Sequence, residues 1–178
     1  MKDSEIERLP FDGWPIPDSY LIEIGRVTVL WSSLEGFLNL CLGKLAGFAD
    51  NDPKPFVLVN HTSFPQRLDM LGALCEHLAP AYPSLADHRT VIGKLRTAQK
   101  ERNKFAHHGL APDEKGQITM AVGSARGSIK TSVETVTIAD IRRAVMAVDE
   151  AFAALYKLVL QRELGPAWKR RQASKGQG

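Results

Sequence analysis

Apolar residues recur at helical spacing in four stretches of this chain. The first stretch alternates steps of four and three residues without a miss, a pattern typical of a helix that buries one face. Its apolar positions are Tyr20, Ile24, Val27, Trp31, Leu34, Leu38, Cys41 and Leu45. The second stretch repeats the pattern at Phe64, Leu68, Leu71, Cys75 and Leu78. The pattern therefore predicts two long helices in the first half of the chain.

The third and fourth stretches have the same spacing. The expected inward positions of the third are Leu85, Ile92, Leu95, Ala98, Arg102, Phe105 and Ala106. Those of the fourth are Ile138, Ile141, Val145, Val148, Phe152, Leu155 and Val159. A third and a fourth helix are predicted from these positions.

Capping residues and helix breakers set the expected limits of these helices. The first begins at Pro17-Asp18-Ser19 and ends before the polar segment 47–53, and the second begins near Ser63 or Phe64. Ser84 and Thr137, each with an aspartate three residues later, are the predicted N-caps of the third and fourth helices. Gly109 is expected to stop the third helix and Gly165-Pro166 the fourth.

Residues of β type, in partial alternation, lie between the last two helices at 117–122 and 128–136. They predict a β-hairpin at about 116–136. Four helices with one apolar stripe each bury those stripes best against one another. The expected fold is therefore all-α, an antiparallel four-helix bundle with a β-hairpin inserted before the last helix. It divides the chain into an irregular arm at 1–16, a helical domain at 17–164 and a basic flexible tail at 165–178.

Length and composition are those of one soluble globular domain. The chain has 178 residues, of which 44% are hydrophobic and 24% charged. No apolar run approaches the ~18–20 residues of a membrane span, and the polar N-terminus has no apolar signal region. We expect a cytoplasmic protein without a membrane partner.

The two cysteines, Cys41 and Cys75, lie on predicted apolar stripes. We expect them to be buried as small apolar side chains rather than joined in a disulfide. Neither stands in a Cys-x-x-Cys or a Cys/His spacing, and the histidines have no metal-ligand spacing. No metal and no other cofactor is expected.

Positive charge is concentrated in two places. The tail from residue 165 carries four basic residues and no acid. Segment 89–108 carries six basic residues, Lys100 and Lys104 among them, against Glu101 alone. This local excess suits a polyanion, and taken alone it is more often a solvated, lysine-rich helix face.

A group of chemically capable side chains lies at the end of the third helix. Arg102, Asn103 and His107 combine a permanent cation, an amide and a titratable imidazole. Asn103 and His107 are four residues apart and should share a helix face. Arg102 lies nearer the apolar stripe, where an unpaired cation is costly. Its expected partner is Glu35, an acid from a second subunit or a bound phosphate.

The segment from Arg102 to His107 has the Arg-X4-His pattern of the HEPN family, which the chain resembles. The resemblance extends to Trp31-Ser32-Ser33-Leu34-Glu35, to Gln66-Arg67-Leu68 and to the hairpin before a final amphipathic helix. It covers roughly residues 17–164. The setting of the motif at a helix end, in a four-helix context and with Asn103 directly after Arg102, makes the match more specific.

The resemblance implies a metal-independent endoribonuclease, a toxin or defence effector, with RNA as substrate. It also implies a homodimer whose two motifs meet at the interface, and an antitoxin protein as partner. His107 would be the acid/base group, Arg102 would hold the scissile phosphate, and Asn103 would orient phosphate or imidazole. The adjacent His108 would either replace His107 or cap the helix. The product would carry a 2′,3′-cyclic phosphate.

Two interpretations without catalysis stay open. The chain could be a non-catalytic HEPN-like module that binds nucleic acid or protein and dimerises. The motif could also be purely structural, with Arg102 anchored by Glu35, Asn103 capping backbone carbonyls and His107 at the surface. Glu35, Lys100, Lys104 and His108 are the residues expected to support the motif.

Overall fold

The computed structural model describes residues 16–50, 52–124, 130–167 and 169. Its helices are α1 (Asp18–Leu45), α2 (Lys54–Val59), α3 (Phe64–Leu78), α4 (His88–Ala106) and α5 (Ile138–Leu160), with a 3-10 turn at Pro83–Leu85. Its strands are β1 (Leu110–Pro112), β2 (Ile118–Ser124) and β3 (Lys130–Thr135). The chain is thus mainly helical, with one small antiparallel sheet. The expected arm, apart from Ile16, and most of the expected tail lie outside the described residues.

The four long helices lie where the apolar stripes predicted them. Leucines from α1, α3, α4 and α5 share one core and are completely buried: Leu34, Leu38, Leu68, Leu71, Leu95 and Leu155. Cys41 and Cys75 are free and buried in that core, as expected. None of the described helices combines the length and apolar character needed to cross a membrane.

Local capping chemistry explains two of the helix starts. In α5 the Thr137 hydroxyl accepts a hydrogen bond from the Asp140 amide at 3.3 Å, and Asp140 Oδ2 accepts one from the Thr137 amide at 2.7 Å. The same reciprocal bonding joins Ser63 and Gln66 at the start of α3. These two capping boxes provide partners for backbone amides that a helix start otherwise leaves unpaired. The predicted start of α5 at Thr137 is confirmed.

Three predicted helix limits are wrong. Helix α4 begins at His88, because Ser84 belongs to the 3-10 turn before it. It ends at Ala106 with His107 as C-cap, and Gly109 does not have the positive φ of a helix-stopping glycine. Helix α5 ends at Leu160, well before Gly165-Pro166, because Gln161 adopts a left-handed conformation with φ 54°.

Helix α2 and strand β1 were not predicted. Helix α2 has six residues, too few for a helical repeat to appear in the sequence. Strand β1 has three residues and includes Pro112, which is tolerated because β1 is an edge strand of the sheet order β1-β2-β3. The predicted hairpin is confirmed as β2 and β3, and its connecting residues 125–129 lie outside the described residues.

The predicted antiparallel order of the helices is wrong for α1 and α3. Trp31 of α1 contacts Phe64 at the beginning of α3. Glu35, one turn farther along α1, binds Arg67, one turn farther along α3. The two helices therefore run parallel. From Trp31 to the end of α1 at Leu45 the helix rises over fourteen residues, roughly 21 Å. The connection 46–63, which includes α2, is long enough to lead the chain back over this distance to the start of α3.

Helix α5 also runs parallel to α1, whereas α4 runs in the opposite direction. Between α1 and α5, Glu23 binds Arg142 and Phe37 packs against Phe152, so residue numbers rise together. Between α3 and α4, Asp69 binds Arg96 and Glu76 binds Arg89, so residue numbers rise in one helix as they fall in the other. The end of α4 consequently lies beside the first half of α1.

The sheet packs at this same end of the helices. Met120 of β2 and Val136 after β3 share a second buried cluster with Val27, Phe105 and Ile141. The sheet therefore covers the last turn of α4 from one side. Arg102, the first residue of the Arg-X4-His motif, contacts Trp31 of α1.

Candidate active site

Arg102 lies over an aromatic ring of α1. The centre of its guanidinium is 5.4 Å from the centroid of the Trp31 ring, a cation–π arrangement that aligns and partly shields the cation. Trp31 is 3% exposed, and its ring lies 4.5 Å from the Phe64 ring at the start of α3. Two helices thus hold the surface on which Arg102 rests.

One nitrogen of Arg102 joins the other two motif residues. Nη1 donates to Asn103 Oδ1 at 3.1 Å and is 3.3 Å from His107 Nε2. A guanidinium only donates hydrogen bonds, so Nε2 is the acceptor and the neutral imidazole carries its proton on Nδ1. The bonds use two of the five N–H groups of Arg102, and the other three have no partner among the described residues.

His107 is exposed at the C-cap of α4, with φ −122° and ψ 0°. Because it has left the helical conformation, its side chain turns back one turn to reach Arg102. The expected neighbour of His107 was Asn103, four residues earlier on an ideal helix. In the structure Arg102 stands between them and binds both.

His108 has a different role from His107. Its Nδ1 lies 3.1 Å from the Lys104 carbonyl oxygen. A carbonyl accepts only, so Nδ1 carries the hydrogen and the half-buried imidazole satisfies a carbonyl that the helix end leaves unpaired. Of the two roles considered for His108, this contact supports capping.

Glu35, one of the three partners considered for Arg102, does not pair with it. Glu35 Oε1 accepts from Arg67 Nη2 at 3.3 Å, and Asn39 accepts from Arg67 Nη1 at 3.1 Å. The parallel run of α1 and α3 brings Arg67 to Glu35. Among the described residues, no carboxylate oxygen lies within 4.0 Å of a guanidinium nitrogen of Arg102. Within the chain, the Trp31 ring is the group that the structure places against this cation.

Among the described residues, no side-chain hydrogen bond joins Lys100 or Lys104 to Arg102 or His107. Lys104 Nζ is 3.1 Å from Glu101 Oε2, and both residues line a groove of about 580 Å³ between α4, β3 and α5. Neither Arg102 nor His107 lines that groove. Lys100 is exposed on the outer face of α4. The structure therefore joins Arg102, Asn103 and His107 by hydrogen bonds, with His108 beside them, and pairs Glu35 with Arg67 instead. The supporting role of Lys100 and Lys104 stays a prediction.

Trp31 is the site residue that sequence reasoning missed. It was expected to be a core residue only, and it is indeed buried, but it also forms the surface beneath Arg102. A signal was present, because Arg102 falls on the inward stripe of α4, where its neighbours are core residues. A cation at such a position needs an acid or an aromatic ring.

The described residues include no set of three His, Cys, Asp or Glu side chains close enough to hold a metal ion. Comparison of the chain with protein-family models, with curated proteins and with solved structures finds no match.

Proposed function

We propose that this chain is a HEPN-type, metal-independent endoribonuclease that cleaves RNA by attack of a ribose 2′-hydroxyl on the adjacent phosphate. One observation carries the proposal. A guanidinium with no carboxylate partner in the described part of the chain is hydrogen-bonded to an exposed imidazole at the end of α4. In this proposal the four long helices are the four-helix frame of the domain.

Arg102 would receive the scissile phosphate. Its unused N–H groups offer the fork geometry that matches two phosphate oxygens. As Nη1 turns to a phosphate oxygen, it releases His107 Nε2, whose lone pair becomes available as a base. Stabilisation of growing charge by such a donor is typically worth about 10²–10³ in rate.

His107 would then move the proton. Nε2 takes the proton of the 2′-hydroxyl while the 2′ oxygen forms a bond to phosphorus and the bond from phosphorus to the 5′ oxygen breaks. The departing oxygen takes a proton from water, and the imidazolium returns its own proton to solvent. The products are a 2′,3′-cyclic phosphate and a 5′-hydroxyl. General acid–base catalysis of this kind contributes about 10²–10⁴ in rate.

RNA is the proposed substrate, and a homodimer and an antitoxin protein are the proposed partners. The local excess of basic residues along α4 supports an anionic ligand. The toxin or defence setting, the cytoplasmic location and the antitoxin rest on the family resemblance.

Cleavage of a mixed RNA pool in EDTA tests the proposal. We expect His107→Ala and Arg102→Ala each to lower the rate by at least about 100-fold, with circular dichroism unchanged. His108→Ala is the matched control and should leave the rate within a few-fold, since its imidazole caps the helix. Loss of cleavage in His108→Ala alone would overturn the role of His107.

A non-catalytic RNA-binding module is the second candidate. It is favoured by the fact that the acceptor nitrogen of His107 is already occupied by Arg102. Intact RNA at high protein concentration, together with binding that Arg102→Ala weakens in fluorescence anisotropy, would select this candidate over the nuclease.

A further inference from the structure

We propose that the basic segment 169–178 binds in the groove between α4, β3 and α5 of its own chain. This groove, of about 580 Å³, is the one that Glu101 and Lys104 line. The inference goes beyond the proposed function, because neither Arg102 nor His107 belongs to the groove. Apart from Lys169, the segment lies outside the described residues.

The floor of the groove is apolar. Phe105, Met120 and Val136 belong to the buried cluster beneath the sheet. Met146 of α5 lines the groove beside them and is 51% exposed. The methylene chains of lysine and arginine pack along apolar surface of this kind while their charged ends stay at its edge.

Two carboxylates of the groove have no partner in the described part of the chain. Six charged residues line the groove, four acidic and two basic. Two ion pairs join four of them: Lys104 with Glu101, and Arg143 with Asp140. Among the described residues, neither Glu134 nor Glu150 has a hydrogen-bond or ion-pair partner. These two carboxylates are therefore available to cations that approach from outside the described residues.

The position of Glu134 favours such a ligand independently. Glu134 lies opposite Met120 in the ladder of β2 and β3. Opposite residues of a ladder share one face of the sheet, and Met120 is 3% exposed in the cluster against the helices. Glu134 therefore stands on the face of the sheet that packs on the helices, where an apolar residue is the ordinary choice. A polar residue that breaks the local pattern in this way is expected to have a functional reason.

The chain beyond α5 returns towards this groove. Helix α5 ends at Leu160, yet the amide of Ala167 donates a hydrogen bond to Asp149 Oδ2 at 3.1 Å. The chain thus runs back along α5 over the roughly 16 Å that the helix rises from Asp149 to its end. Asp149 is 6% exposed and directly precedes Glu150, which lines the groove. The basic segment therefore begins beside the groove.

The segment is long enough to reach the unpaired carboxylates. Asp149 lies one turn before Phe152, which packs against Phe37 of α1, so the anchor is on the α1 side of α5 and the groove is on the α4 side. A helix with its side chains is about 10–12 Å across. An extended chain spans about 3.3 Å per residue, so residues 168–171 cross the outer face of α5. The residues after 171 can then lie in the groove.

The charge of the segment complements the charge of the groove. The segment contains four basic residues and no acid: Lys169, Arg170, Arg171 and Lys175. A guanidinium pairs with a carboxylate through two parallel N–H groups. Exposed pairs are individually weak, but attachment at Ala167 gives the segment an effective concentration in the millimolar range. Weak pairs are sufficient under this condition.

The bound segment would change the charge beside the motif. Glu101 lines the groove and directly precedes Arg102 on α4. Four cations in the groove would turn its excess of acid into an excess of base, which favours the approach of a polyanion. This consequence for RNA rests on the proposed function, whereas binding of the segment does not.

Limited digestion of the full chain with trypsin tests the binding without reference to cleavage of RNA. Trypsin cuts after lysine and arginine, and its rate follows the fraction of the segment that is free. We expect Glu134→Gln/Glu150→Gln to lose the segment at least about threefold faster than the wild type at about 50 mM salt. Mass spectrometry of the intact chain measures the loss. Both positions are exposed and unpaired, so circular dichroism should be unchanged.

Asp18→Asn/Glu114→Gln is the matched control. It removes the same charge from two exposed acids outside the groove and should be cut at the rate of the wild type. Salt of about 1 M should bring all three proteins to one rate, because it screens exposed charges. No faster cutting of Glu134→Gln/Glu150→Gln, or equally fast cutting of the control, would overturn the proposal.

A cross-link tests the place of binding. In Met146→Cys/Ala173→Cys, oxidation should form a disulfide within one chain at least about threefold faster than in Val29→Cys/Ala173→Cys. Val29 is exposed on α1, outside the groove, and the natural cysteines are buried. Equal rates in the two variants would overturn the groove as the binding place. A disulfide that joins two chains would show that the groove takes this segment from a second copy, and would overturn binding within the chain.

Discussion

Replacement of Trp31 by phenylalanine tests how much the ring beneath Arg102 contributes to RNA cleavage. The change keeps an aromatic side chain in a position that is 3% exposed. It removes the larger ring on which the guanidinium rests at 5.4 Å from the centroid. Two effects are expected, one on stability and one on the position of Arg102.

The stability effect follows from packing. Truncation of a buried tryptophan to alanine costs about 3–5 kcal/mol, and the shorter step to phenylalanine should cost about 1–3 kcal/mol. A domain of ordinary stability, about 5–15 kcal/mol, stays folded after such a loss. Urea denaturation measures the change in the free energy of unfolding.

The effect on Arg102 follows from the cation–π contact. Such a contact is worth about 0.5–2 kcal/mol, and tryptophan is the strongest of the aromatic partners. Loss of about 1 kcal/mol corresponds to roughly a fivefold fall in kcat/KM. RNA cleavage per folded molecule should therefore fall by about this factor in Trp31→Phe.

Phe64→Leu is the matched control. Phe64 packs against Trp31 at a centroid distance of 4.5 Å, in the same core. We expect it to lower the free energy of unfolding by about 1–3 kcal/mol and to leave cleavage per folded molecule unchanged. Equal loss of cleavage in the two variants, or no loss in Trp31→Phe, would refute the positioning role of the ring.

Two further predictions concern residues outside the motif. Glu35→Ala should lower the free energy of unfolding by about 1–3 kcal/mol, because the Arg67 side chain, 14% exposed, loses its carboxylate partner. A tenfold loss of cleavage per folded molecule would instead show that Glu35 contributes to the site. Burial alone raises the pKa of Glu23, but hydrogen bonds from two arginines outweigh it and hold the pKa below its usual range. The stabilisation from Glu23 is therefore present at neutral pH and is lost as the pH falls below about 4.3. Glu23→Gln should flatten the fall in urea midpoint between about pH 7 and pH 3.5, and an unchanged slope would contradict this account.

The positions of the long helices follow from the sequence because their causes are local. An apolar step of three or four residues makes one face of a helix, and the first amides of α5 find partners in Thr137 and Asp140, within one turn. The burial of Cys41 and Cys75 follows from the same stripes. Helix α2 and strand β1 are too short for such a pattern, and the other helix ends depend on backbone conformations, such as that of Gln161, which have no periodic signal.

The Arg-X4-His motif was visible in the sequence, but its surroundings were not. The local order of residues brings Arg102, Asn103 and His107 within one turn of the end of α4 and leaves His108 to cap it. The partner of Arg102 depends instead on which helix packs against α4 and on which residue of that helix lies beside Arg102.

The sequence by itself determined where the four long helices lie, which of their faces are buried and which side chains stand together at the end of α4. The tertiary structure alone decided that α1 and α3 run parallel, so that Glu35 binds Arg67 and Trp31 lies beneath Arg102. The physical reason is the separation along the sequence of the residues that interact. Capping and periodicity act between residues a few positions apart, whereas the pairing of charges between helices depends on direction and register that the whole core sets.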